Sequence, residues 1–301
     1  MVIAASAVVY LCLMHTKDVF LVKEDGSKEL YEPHKLRMSL LKAGSSTHSA
    51  DRVLTDLAHF IEEHLRHKKH SEISVSELYK KAFQCLRQYE GNAALRYSVK
   101  RSLFELGPTG FPFEKYIAEI FRAQGFEAIT GQIITGSCVP HEVDLVAWNK
   151  QKLLMGEVKY HNDPANKTDL KVALYVKARY DDIRRNTFDY GGVLRQPTEW
   201  WLITNTKFTD TAVTYATCNG LKLLSWAYPE SGNLHDLIED TKSHPVTCLT
   251  SLDSAQKKML IDKNVILCKQ LYHNSAIMKQ LNFTEQTIFH VLEEVTSIIK
   301  K

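Results

Sequence analysis

The spacing of apolar residues changes twice along the chain, and the changes mark three stretches. In the first, residues 17–22 read as a short strand, Asp25-Gly26 as a tight turn and residues 28–31 as its partner strand. Pro33 suits the first turn of a helix that runs to Ala43 and stops at Gly44. Leu54, Leu57, Ala58, Ile61 and Leu65 then recur at helical spacing, and further helices are predicted over 76–89 and 93–106. Gly107-Pro108-Thr109-Gly110 breaks the pattern, which places a domain boundary there.

The second stretch mixes two periods. Residues 113–124 form an amphipathic helix closed by Gly125, and 126–130 are strand-like. Residues 142–148 and 153–160 are apolar strands joined by Asn149-Lys150-Gln151-Lys152, which reads as a hairpin. A helix over 169–183, a buried-type strand over 200–204, a helix over 209–218 closed by Gly220 and a last strand over 221–226 complete a mixed sheet with helices on its faces. From Gly232 onward the chain reads as all helical, with apolar stripes near Asp236, at 254–261 and at 285–299. The predicted fold class is therefore α/β multidomain: a helical N-terminal domain with a small hairpin, a central α/β/α mixed-sheet core and a C-terminal helical region. The expected boundaries are an apolar extension over 1–16, then 17–107, 111–230 and 232–301.

Composition narrows the class. With 301 residues, two or three domains are expected, and 44% hydrophobic with 24% charged residues is ordinary for a soluble globular protein. The net charge is only +3, so a nucleic-acid surface has to be a local patch. Six cysteines (Cys12, Cys85, Cys138, Cys218, Cys248 and Cys268) show no CxxC spacing, which argues against a zinc ribbon or disulfide framework and fits a reducing cytoplasm. The apolar stretch from Met1 to Met14 lacks the basic start of a secretory signal and is shorter than the roughly 18 apolar residues of a membrane helix. It is read as a dispensable extension, and no stable membrane association is expected.

The chemistry concentrates in His141-Glu142-Val143-Asp144-Leu145-Val146 and Gly156-Glu157-Val158-Lys159-Tyr160-His161, on either side of the hairpin. Side chains alternate along a strand, so Glu157 and Lys159 share a face and Val158 turns into the core. Asp144 reaches the same face from the neighbouring strand. Two carboxylates and an ammonium at one sheet edge suit Mg²⁺ or Mn²⁺, which can polarise a phosphodiester and acidify a bound water while the lysine orients that water. The plain alternative is a surface hairpin with three solvated charges. Lys171, Lys177, Arg179, Arg184 and Arg185 stud the following helix, either as phosphate contacts or as a solvated face with Asp181 and Asp182 as partners. Lys207, just past a strand end, is a phosphate contact or an ordinary surface lysine. His64, His67 and His70 drift around their helix beside Arg66, Lys68 and Lys69, and read as a solvated basic turn rather than a metal site.

This central segment resembles the Mrr-like restriction endonucleases, a branch of the PD-(D/E)xK nucleases, over residues 111–226. Phe113-Glu114 opening a helix, Val143-Asp144-Leu145 followed by Glu157-Val158-Lys159, and Thr204-Asn205-Thr206-Lys207-Phe208-Thr209 before Asn219-Gly220-Leu221 carry the match. The resemblance implies a catalytic set of Asp144, Glu157, Lys159 and Glu114. Asp144, Glu157 and Glu114 would ligate the metal, with Glu119 as a substitute for Glu114 and Glu142 as a further ligand or mere bulk. Residues 20–106 resemble the ATP-cone, a regulatory nucleotide-binding domain. Val22-Lys23-Glu24-Asp25-Gly26, Glu29-Leu30-Tyr31, Lys35-Leu36 and Ser39-Leu40-Leu41-Lys42-Ala43-Gly44 carry this match, with Arg96-Tyr97 and Lys100-Arg101 at its end. It implies ATP or dATP as regulatory ligand, held by Lys23, Lys35 and Arg101; the position after Lys23, often basic in that family, is Glu24 here. The expected function is a Mg²⁺- or Mn²⁺-dependent DNA endonuclease regulated by nucleotide. Its partners would be DNA, a nucleotide and, as an option, a second copy of the chain. The alternative is a non-catalytic nucleotide-sensing protein that binds nucleic acid or acts as a regulator. The last helices, with Leu281-Asn282-Phe283-Thr284 before the final one, read as an interaction or packing module.

Overall fold

The computed structural model describes residues 19–23, 26–67 and 71–300. The apolar extension, Glu24 and Asp25 of the first turn and residues 68–70 of the histidine run lie outside them. No described helix is long and apolar enough to cross a membrane. The chain forms two compact units, Met1–Ser98 and Val99–Lys301.

In the first unit β1 (Phe20–Val22) lies between β2 (Lys28–Leu30), antiparallel to it, and β3 (Glu72–Ser74), parallel to it. β3 escaped the pattern because three residues with a single buried one, Ile73, carry no period. Four helices follow the predicted order: α1 (Pro33–Lys42), α2 (Thr47–His67), α3 (Val75–Tyr89) and α4 (Gly91–Ser102). Pro33 sits at the start of α1, and Ser74 with Glu77 makes a reciprocal capping box at the start of α3. Leu40, Val53, Leu57, Ile61, Ile73 and Leu86 fill the core. After α1 the chain turns at Gly44, where φ is +77° and a Cβ would stand 2.6 Å from the Arg96 guanidinium, which donates from Nε to the Ala43 carbonyl at 2.7 Å.

The expected break at Gly107–Gly110 falls within the second unit. The reason is local: the 3₁₀ turn Leu103–Glu105 buries Leu103, Leu106 is also buried, and the Ser102 and Phe104 carbonyls accept bonds from Thr247 Oγ1 and Tyr160 Oη. Then come α5 (Phe111–Ala123), β4 (Glu127–Thr135), β5 (Pro140–Trp148), β6 (Leu153–Lys159), β7 (Lys167–Thr168) and α6 (Leu170–Ile183). They are followed by β8 (Phe188–Asp189), β9 (Leu194–Arg195), β10 (Glu199–Thr204), β11 (Lys207–Phe208), α7 (Asp210–Cys218) and β12 (Lys222–Leu224). Five strands form one sheet in the order β12-β10-β6-β5-β4. β4, β5 and β6 are antiparallel neighbours, whereas β10 runs parallel to both β6 and β12. Two short ladders, β7 with β11 and β8 with β9, lie outside this sheet; their two-residue strands left no trace in the pattern.

Alternation makes the sheet the middle of three layers. Val146, Leu153, Met155, Trp200 and Leu202 pack with Ala173, Val176 and Ile183 of α6 and Ala212 and Ala216 of α7. Trp201 turns the other way and meets Phe121 of α5 edge-on, with ring centroids 5.7 Å apart. The C-terminal helices are α8 (Leu234–Thr241), α9 (Ser254–Asp262), α10 (Cys268–His273), α11 (Ala276–Gln280) and α12 (Glu285–Ile299), of which α10 and α11 were too short to be read from sequence. Tyr116 of α5, fully buried, donates to the Ser243 carbonyl at 2.9 Å and ties this region to the sheet. Asn282 takes the left-handed turn before α12, with φ +59°, a conformation that asparagine tolerates better than most residues.

One carboxylate holds the β4–β5 connection. Asp182, near the end of α6, accepts the Cys138 N–H at 2.8 Å and the Val139 N–H at 3.3 Å, and meets His141 Nε2 at 2.8 Å. A Cβ at Gly136 would collide with the same carboxylate, so the approach requires glycine. One of the two readings of this helix made Asp182 a partner of its cations; it serves the hairpin instead. The His141 bond first, and then the Cys138 and Val139 bonds, hold its pKa down at about 2. A depressed carboxylate contributes stability that is present above its unfolded value of about 4 and is lost as pH falls through its folded value. Asp182→Asn is therefore expected to lower Tm by roughly a few degrees near neutrality and to flatten the loss of stability between about pH 4 and 2, as read by calorimetry across pH.

Candidate functional site

The site forms where β5 and β6 part. Their ladder ends at Leu145 opposite Gly156. One residue further on, the Asp144 carboxylate bridges the opening by accepting the Val158 N–H at 2.8 Å. Glu157, next on β6, shares the face of Leu153 and Met155 toward α6, and its carboxylate meets Arg179 Nη1 of that helix at 2.6 Å. Arg179 also lies over the Tyr175 ring, 4.2 Å from its centroid. Lys159 is exposed at the end of β6, and Val158 is buried, as alternation requires. Glu114 comes from the first turn of α5, half-buried beside Gly110.

All four residues expected from sequence lie within one electrostatic neighbourhood. Burial is the largest influence on Glu114 and pushes its pKa up to about 7, with Asp144, Glu142 and Glu157 adding their negative fields. Burial likewise raises Glu157 to about 7; Asp144 adds to this, and Arg179 and Lys159 oppose it. Asp144 is raised by burial and held back by the Val158 N–H, Arg179 and Lys159. Three partly desolvated carboxylates thus compete for too little positive charge, a condition that stores affinity for a cation or for protons.

The expected metal centre needs a correction in its side-chain geometry. Among the described residues no group of three His, Cys, Asp or Glu side chains converges on a point that could hold a metal ion. Two observed contacts account for this: Arg179 takes Glu157, and Val158 takes one oxygen of Asp144. Sequence reasoning left Arg179 as either a phosphate contact or part of a solvated face and missed its bond to Glu157, because a contact between β6 and α6 has no local sequence signal. Glu142 is exposed, and Glu119 is paired with Arg122 at 2.5 Å. On α6, Lys177 and Arg184 share Asp181, which fits the solvated-face reading for those two.

In the first unit Lys23 pairs with Glu29 at 2.5 Å and Lys35 with Glu32 at 2.6 Å, so both expected phosphate ligands are held beside carboxylates. Arg101 belongs to the second unit. Tyr97 and Tyr79 stack with centroids 5.2 Å apart, and burial raises Tyr97 to about 12.

Comparison with known proteins gives the chain relatives at both ends. Residues 19–103 match the ATP cone domain, and residues 244–299 match the family described as AF1548-like, C-terminal. An uncharacterized protein of Archaeoglobus fulgidus is 31% identical over 184 residues, covering 61% of this chain and 99% of that protein. A crystal structure titled as the protein of unknown function AF1548 aligns with a TM-score of 0.50 and 29% identity, over 66% of this chain and 100% of that one. The transcriptional repressor NrdR of Carboxydothermus hydrogenoformans is 29% identical over 82 residues, 27% of this chain and about half (53%) of the repressor. The cone points to regulation by a nucleotide, with ATP or dATP as the ligand. None of these matches names a nuclease, and they favour the nucleotide-sensing alternative over the hydrolytic expectation.

The charge conflict has a thermodynamic signature. An acid whose pKa rises on folding opposes folding once pH exceeds its unfolded value, and the penalty grows until pH passes the folded value. Glu114, at about 7 against roughly 4.3 unfolded, carries that penalty in full near pH 8. Glu114→Gln removes it, and the half-exposed position limits the gain. The variant is expected to melt about 2–4 °C higher near pH 8, with most of the gain gone near pH 5; thermal melts at the two pH values check it.

Proposed function

The chain belongs to the family of the uncharacterized Archaeoglobus fulgidus protein, and we propose that it is a nucleotide-sensing protein whose sheet-bearing unit hydrolyses phosphodiester bonds in DNA with a divalent cation. The supporting observation is the gathering of Glu114, Asp144 and Glu157 beside Lys159 where two strands separate. The donor set is all carboxylate oxygen, which fits Mg²⁺ or Mn²⁺ rather than zinc. Asp144 and Glu157, with Glu114, would hold the ion, which when bound supplies Lewis acidity toward the phosphodiester.

The chain's own groups do the rest. Asp144 keeps its orientation through the Val158 N–H. Glu157, held by Arg179 at 2.6 Å, would have to release that guanidinium to ligate a cation, and the guanidinium would then stand beside the site as a donor for a phosphate oxygen. Lys159, exposed at the strand end, orients the attacking water and faces the negative charge that develops on phosphorus. The cone contributes regulation, since a ligand alters a distant site only through its different affinity for two states of the protein.

A second reading has its own observation. Similarity to a transcriptional repressor over 82 residues supports a non-catalytic regulator whose sheet-bearing unit only binds nucleic acid. Plasmid and single-stranded DNA incubated with Mg²⁺, Mn²⁺ or EDTA separate the two. Hydrolysis requires cleavage with either metal and none in EDTA, and Asp144→Ala, Glu157→Ala and Lys159→Ala are each expected to lower the rate at least about a hundredfold. DNA binding without cleavage under either metal makes the regulator reading correct.

The cone has a separate test. Titration calorimetry is expected to show ATP or dATP binding, weakened at least about tenfold in Lys23→Ala/Lys35→Ala through lost charge-assisted contacts. Bound nucleotide is expected to change cleavage rate or oligomeric state. Absence of heat at millimolar nucleotide would leave the cone a scaffold.

A further inference from the structure

Positive charge also gathers at the end of the sheet where β6 and β10 finish. Lys207 of β11 is directly paired with Lys167 of β7. Residues paired across a ladder stand roughly 4.8 Å apart, and like charges placed directly opposite destabilise the pair. A third lysine joins them. Lys100, in the last turn of α4, is depressed from its ordinary value by burial first and by Lys207 second. Its side chain is nevertheless exposed by area, the combination given by an open stem and a crowded head. Among the described residues none of the three has an ion-pair partner. Of the carboxylates on the adjoining segments, Asp163 accepts the Ala165 N–H at 2.8 Å, Asp169 accepts the Val172 N–H at 3.3 Å and Glu105 pairs with Lys257 at 3.3 Å.

The backbone beneath the lysines is fixed. His161 donates its N–H to Asn205 Oδ1 at 2.9 Å, and Asn205 Nδ2 returns a bond to the His161 carbonyl at 2.8 Å. His161 Nε2 also meets Thr168 Oγ1 at 3.0 Å, and both Asn205 and Thr168 are fully buried. These bonds latch the β7–β11 ladder to the end of β6, one strand partner away from Lys159, which is paired with Thr204. Stability is thus spent on holding ammonium groups together at the same sheet end as Glu157 and Lys159.

We propose that Lys100, Lys167 and Lys207 form a seat for backbone phosphates of a nucleic-acid strand beside the carboxylate site. The inference rests on the reading that this unit acts on nucleic acid, and it does not depend on cleavage. Ammonium groups meet phosphate oxygens as point charges and read no base, so the seat positions a strand without selecting a sequence.

Fluorescence anisotropy with short single-stranded and duplex oligonucleotides, in EDTA and over a range of KCl, tests the seat on the full chain. Wild-type protein is expected to bind with an affinity that falls as salt rises. Replacing all three lysines with alanine should weaken binding at least about tenfold at low salt. The salt slope should become shallower by about 0.9 per lost phosphate contact on duplex and about 0.7 on single strands. The single variants Lys100→Ala and Lys207→Ala should each remove about one such step, and the triple arginine variant should keep both affinity and slope. Removing the repulsion should leave Tm unchanged or higher, which separates the effect from misfolding. Wild-type affinity and slope in the triple alanine variant, or no oligonucleotide binding by wild type, overturns the seat. Pyrophosphate binding without oligonucleotide binding also overturns it, as a small-anion site. Lysine-dependent binding by a protein that never cleaves leaves the seat standing and removes the hydrolytic reading alone.

Discussion

Crowding of negative charge where β5 and β6 separate is the constraint around which the second unit is arranged. Glu114, Asp144 and Glu157 are partly withdrawn from water, and two of them are pushed to about 7. A domain selected only for stability would replace such groups, because desolvating charges without full compensation opposes folding. The surrounding structure instead accommodates them. Arg179 reaches across from α6 to Glu157, the Val158 N–H faces Asp144, and Lys159 stands at the strand end. Each accommodation is partial, and the site remains short of positive charge. Conflict between local stability and geometry of this kind marks functional sites.

The same sheet end carries the opposite conflict. Lys167 and Lys207 are paired in register, with Lys100 close enough to feel Lys207. An acidic cluster and a basic cluster, both under-compensated, lie along the ends of β6 and β10, where the faces of an open α/β sheet leave room for a ligand. Under the proposed function, a polyanion bridged to the carboxylates by a cation would satisfy both at once. The match to the ATP cone domain adds nucleotide sensing over residues 19–103, and the match to the AF1548-like C-terminal family covers residues 244–299, among the helices after the sheet.

Much of this could be read from the sequence, for identifiable reasons. Leu54, Leu57, Ala58 and Ile61 gave α2 because helical spacing is a long-range pattern. Asp169 and Thr209 were read as the first residues of their helices and prove to cap α6 and α7, a difference of one position. The nearness of Asp144, Glu157 and Lys159 was legible because strand alternation and one hairpin fix the relation of those three residues. Arg179 and Asp182 were not legible in their observed roles: each acts on a strand far away in sequence, and a lone charged residue on a helix looks the same whether it faces solvent or a partner. The short ladder of β7 with β11 was invisible for a related reason, since two residues have no period, and with it went the juxtaposition of Lys167 and Lys207.

The central claim is that Glu114, Asp144 and Glu157 bind a divalent cation in exchange for protons. Titration with Mn²⁺ near pH 6.5, by calorimetry in two buffers of different ionisation enthalpy, measures binding and proton release together. Because two groups titrate at about 7, ion binding is expected to release roughly one proton or more per ion, and Glu157→Gln is expected to abolish both the binding and the release. No Mn²⁺ binding at millimolar concentration, or binding that survives Glu157→Gln and moves no protons, would contradict the account.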